Sequence, residues 1–91
     1  MRRITLDAAR WQDRADGYRA ILAALEAPTW HGANLDALLD GLRGGVNGVE
    51  APFTLTINRL PASLAGFGAD LAEVFTQAQS EGVEVALVLR G

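Results

Sequence analysis

The 91-residue chain contains no cysteine, no lysine and a single histidine. Without cysteine there is no disulfide framework, no thiolate metal site and no cysteine nucleophile. One histidine among scattered carboxylates makes a poor metal site, and no metal or other cofactor is expected. Ser63 and Ser80 lie outside any glycine-rich elbow, so no activated serine is apparent. The longest apolar runs are far too short to span a bilayer, and the N-terminus lacks an apolar signal-peptide segment. The chain is therefore read as a soluble, cytoplasmic protein with no membrane partner. All eight basic residues are arginine, a bias to which no function is attached.

What remains is the composition of an ordinary folded domain, 49% apolar and 21% charged. That length suits one domain, residues 1–91, with one core. The formal net charge of −3 is modest but unevenly spread. Residues 1–19 hold five arginines and three aspartates. From Glu26 to Glu50 four acids face Arg43 alone, and from Asp70 to Glu84 four acids stand without a base. Such acidity repels nucleic acid and attracts basic proteins.

Along the chain, Ile4-Thr5-Leu6 reads as a short strand. Asp13, with Asp16 three residues on, marks a capped helix start, and Tyr18, Ile21, Leu22 and Leu25 form its apolar face up to Pro28. A second helix runs from Leu35 to Arg43, weakened by Gly41 and ended by Gly44-Gly45. Phe53 to Ile57 alternates as a strand. Pro61 opens a short helical turn through Leu64, interrupted by Gly66 and Gly68. A stronger helix follows from Asp70 to Ser80. Val83 to Leu89 is a nearly continuous apolar run, suited to a strand buried on both faces. The order implies an α/β fold, a three-stranded parallel sheet packed by about four helices.

The most informative stretch is Trp30 to Asp40. Asn34 is a natural N-cap, and Leu35, Leu38 and Leu42 face a core with Leu39 beside them. Asp36 and Asp40 stand one turn apart on the same side of that helix, with Cβ atoms about 5–6 Å apart. Like charges at this spacing cost an isolated helix roughly 0.2–0.5 kcal/mol. Folding gives little reason for the pair, whereas a cationic partner gives one. Paired carboxylates can also serve as acid and base, but that needs a shielding cleft that raises one pKa. His31 is ordinarily a loop residue before a helix; its sharper reading is a general base near Asp36. Trp30 is either a core aromatic or an anchor beside the two aspartates. The set Asp70, Glu73, Glu81 and Glu84 reads as a solvated face.

The segment Gly32 to Asp40 resembles the G-x-N-L-D-A-L-x-D signature of the barstar family, intracellular inhibitors of the ribonuclease barnase, and the match continues through Leu42 and Gly44. Val74 to Gly82 resembles the family's V-F-x-x-A-x-x-E-G pattern leading into the last strand. The resemblance implies a barstar-like fold, no catalysis, and a second helix and preceding loop that plug a ribonuclease active site. By position, Asp40 resembles the central acid that mimics a substrate phosphate, and Asp36 the flanking acid. Trp30 replaces a family tyrosine, Gly44 matches a glycine near the helix end, and Val46 matches a small apolar contact residue.

The chain departs from the pattern at four places. Leu39 and Gly45 replace tryptophans of the best-known member, Gln77 replaces a glutamate in contact with the enzyme, and Arg43 adds a cation three residues after Asp40. The expected contact set is thus Trp30, Asp36, Leu39, Asp40, Gly44, Val46 and Gln77, the expected partner a basic barnase-like ribonuclease bound one-to-one. Two other readings are open: a barstar-like module with a non-ribonuclease partner, and a small hydrolase using His31 with an aspartate.

Overall fold

The computed structural model describes residues 2–28, 32–44 and 47–91. Strand β1 (Arg2–Asp7) leads into α1 (Arg14–Ala24) and α2 (Leu35–Leu42), then β2 (Phe53–Asn58). A 3-10 turn (Ala62–Leu64) runs directly into α3 (Ala65–Ser80), and β3 (Val85–Leu89) follows. The strands lie in the order β1-β2-β3, all parallel, with Leu55 level with both Ile4 and Leu87.

Local chemistry fixes the helix starts. Asp13 Oδ1 accepts from the Asp16 N–H at 3.0 Å, and Asp16 Oδ2 accepts from the Gln12 N–H at 2.8 Å, a reciprocal closure of the first turn of α1. Asn34 Oδ1 accepts from the Ala37 N–H at 2.8 Å and caps α2. Tyr18, Ile21 and Leu25 are buried as the spacing predicts, while Leu22 is only half-buried.

Two expectations need correction. There are three α-helices among the described residues, not about four, because α3 starts at Ala65 and passes through Gly66 and Gly68. Each glycine costs a helix up to about 1 kcal/mol, but burying Phe67 returns about 1.5–3 kcal/mol. Phe67 is 1% exposed and meets Tyr18 edge-on, ring centroids 5.0 Å apart. Gly68 lies so close to Leu60 and Leu89 that a Cβ there would stand 2.8 Å from Leu60 Cδ2. The expected short helix is therefore a single 3-10 turn.

Nor is β3 buried on both faces. Only Val85 is fully buried, and the strand's other four residues are half-buried. The crossovers step the same way, β1 to β2 and β2 to β3, and with the usual right hand of such connections this puts their helices on one side of the sheet. The central strand records this: Phe53, Leu55 and Ile57 are buried, while Thr54, Thr56 and Asn58 between them are half-buried. The core gathers these β2 residues with Ile21, Leu25, Leu38, Phe67, Leu71 and Phe75.

Candidate functional site on the acidic edge of α2 and α3

Helix α2 spans only two turns, too short to persist in isolation, so packing must hold it. Leu38 and Leu42 are buried at 1% and 4% exposure, and Leu35 and Leu39 lean half-buried against the same core. Fixing the leucines inward turns Asp36 and Asp40 outward, and both are exposed. Asp36 makes no ion pair with any described residue. Its place in the first turn suits the positive end of the helix.

Asp40 carries a 69% exposed side chain and has a neighbour of its own chain. Arg43, the C-cap residue, donates from Nη1 to Asp40 Oδ1 at 3.0 Å. The same guanidinium grips Glu81, at the end of α3, through Nε to Oε1 at 2.6 Å and Nη2 to Oε2 at 2.9 Å. Gln77 Nε2 donates to Glu81 Oε2 at 2.7 Å. The bonds from Arg43 and then Gln77 hold the Glu81 carboxyl well below its usual range, at about 2. The bond to Glu81, with a smaller share from Asp40, raises Arg43 further above an already high pKa. The two helix ends are thus tied at the surface beside the outward acids.

The other expected contact residues fall around this network. Leu39 shows part of its side chain beside Asp40, and Gln77 is exposed on α3 but turned into the Glu81 carboxylate. Gly44 sits at φ 107°, a left-handed stop for α2 that glycine adopts without strain, and among the described residues beyond its chain neighbours no atom lies within 4 Å of the space a Cβ would take. Its N–H donates to the Gly41 carbonyl at 3.2 Å. Trp30, His31, Gly45 and Val46 lie outside the described residues. Past the end of α2 an open cleft is lined by Arg43, Gly44, Glu50, Pro52, Gly82 and Glu84.

Sequence reasoning missed Glu81, which it placed on a solvated face. The residue lies 38 positions from Arg43, so no local spacing could announce the pair. Asp70, from the same set, likewise bonds Arg14 at 2.7 Å and ties α3 to α1. Among the described residues, no group of three histidine or acidic side chains is arranged to hold a metal ion. No helix there is long and apolar enough to cross a membrane.

Outward carboxylates on a core-anchored helix can receive cations without moving the fold. Comparison with protein families agrees with that chemistry: the Barstar (barnase inhibitor) family matches residues 1–90. The chain belongs to the Barstar family. Its parallel sheet and helices fit a barstar-like fold, and membership suggests a barnase-inhibitor-like function. Members of this family inhibit rather than catalyse.

Proposed function

We propose that this Barstar protein is a cytoplasmic immunity protein that inhibits a basic microbial ribonuclease, one-to-one and without a cofactor. The whole chain acts as a single domain for this purpose. Asp40 stands in for a substrate phosphate against the enzyme's cations, and Asp36 pairs with a flanking cation. Trp30, Leu39, Gly44, Val46 and Gln77 complete the contact set. The observation that supports this most is the outward pair of aspartates on a helix whose inner leucines are fixed in the core. A carboxylate already in place meets converging donors with little ordering cost. Asp40→Ala should weaken inhibition of the cognate ribonuclease at least tenfold and Asp36→Ala less, with unchanged circular dichroism for both. Equal inhibition by Asp40→Ala and the parent would remove Asp40 from the site.

A second reading is favoured by one observation. Arg43 already neutralises part of Asp40, and Gln77 supplies no charge, so the surface is less acidic than its aspartates alone suggest. That suits a Barstar-type module whose partner is not a nuclease. Capture of a non-nuclease alone by the purified protein, with no inhibition of any basic ribonuclease, would select it.

A further inference from the structure

Arg43 is an odd residue to find beside an acid offered to cations. It is held by three of its own nitrogens, two on Glu81 and one on Asp40. The two-point grip of Glu81, itself bonded by Gln77, anchors the guanidinium to the end of α3 rather than to Asp40. Arg43 therefore stays in place when Asp40 engages something else. Exposed ion pairs contribute little to folding, so stability is a weak reason for this cation to stand here.

From this geometry, and resting on the ribonuclease-inhibitor reading above, we propose that Arg43 is a specificity-determining residue. It is a fixed counter-charge that penalises cationic nucleases in general and admits one that carries a carboxylate beside its cation cluster. Asp40 Oδ1 is taken by Arg43, which leaves Oδ2 for the partner. A partner cation seated there lies about 6 Å from the guanidinium. At an effective dielectric of about 20, that repulsion weakens binding by about a hundredfold. Exposure and salt reduce the penalty to about tenfold. A carboxylate on the partner that accepts from Arg43 relieves it. Discrimination by a built-in repulsive contact needs no loss of the attractive one.

The test measures inhibition of barnase, the ribonuclease for which the family is named, at low and at physiological salt. Parent, Arg43→Met, Glu81→Gln and Asp40→Ala proteins are compared, together with the Arg43→Met/Asp40→Ala double variant. Arg43→Met should inhibit barnase about tenfold more tightly than the parent, most strongly at low salt. The gain should vanish when Asp40→Ala is added. Glu81→Gln breaks the same tie between helices but keeps the cation, and should show no gain. Arg43→Gln gives the same comparison if Arg43→Met does not fold. If Arg43→Met is no tighter than the parent while Asp40→Ala is weaker, the inhibitor reading stands and the role of Arg43 is refuted. An equal gain in Glu81→Gln would also refute it, since loosening rather than charge would then be the cause. Absence of inhibition by every variant, Arg43→Met included, would refute this inference, since removing the counter-charge would then admit no further nuclease; indifference to Asp40→Ala in both backgrounds would overturn the site on which both readings rest.

Discussion

Replacing Gly41 by alanine should destabilise the protein, although helix preference alone favours the change by about 1 kcal/mol. The residue lies in the last turn of α2, between Asp40 and Leu42, and is buried. A Cβ there would stand 2.8 Å from Asn47 Nδ2, 3.2 Å from Oδ1 and 3.3 Å from Cγ. Because Cγ is among these atoms, turning the amide about its last bond does not clear the overlap. Asn47 is only 7% exposed, so moving it displaces packed neighbours. Overpacking of this kind costs about 1–3 kcal/mol, which leaves a net loss of about 1 kcal/mol. Two other helical glycines bracket the result. At Gly17 a Cβ would overlap the ring of Phe67, with Cζ at 2.9 Å, and that ring is 1% exposed. Gly17→Ala should lose about 2 kcal/mol on the same reckoning. At Gly66 a Cβ meets only Arg14 Nη2 at 3.6 Å, an ordinary contact, and Gly66→Ala should gain about 0.5 kcal/mol. Urea unfolding of the three variants reads both order and sign. A Gly41→Ala protein about 1 kcal/mol more stable than the parent would show that Asn47 does not press on α2, and the packing argument would fail.

Two more expectations concern the same edge of the molecule. The Glu81 carboxyl titrates at about 2 when folded, against an ordinary 4.5, so its bonds stabilise the protein above pH 4.5 and are lost as pH falls toward 2. Between those limits the parent should lose a stability increment that Glu81→Gln lacks; parallel curves for the two in acid urea titrations would contradict this. Asn34→Ala removes the side-chain oxygen that caps α2 and should cost about 1 kcal/mol, measured by thermal unfolding, and an unchanged midpoint would show the cap to be idle.

The elements that could be read in advance are those governed by near neighbours. Asp13 and Asn34 cap their helices through N–H groups three residues on. Leu35, Leu38 and Leu42 lie inward because helical spacing leaves them no other side, and that same geometry turns Asp36 and Asp40 out. Strand β2 alternates as written, because one of its faces meets helices and the other does not. What could not be read depends on distant partners. Gly66 and Gly68 look like breaks until Phe67 is seen buried in the core against Tyr18 of α1, and the apolar run of β3 does not reveal that four of its five residues stay half-buried. The spacing of Arg43 from Asp40 allowed a local pair, which is present, but carried no sign of a second bond across to α3. The answer came from Glu81, a residue that local spacing left among solvated acids.

The proposed role of Asp36 and Asp40 is to occupy the place of a nucleic-acid backbone in the active site of a ribonuclease. The most direct measurement is calorimetric titration of the cognate ribonuclease with this protein, alone and with the active site filled by a mononucleotide. Mutual exclusion is expected, with apparent affinity falling in proportion to nucleotide occupancy and an Asp36→Asn/Asp40→Asn protein losing most of its binding heat. Equal affinity for the empty and the nucleotide-filled enzyme would show that these aspartates do not enter the substrate's site.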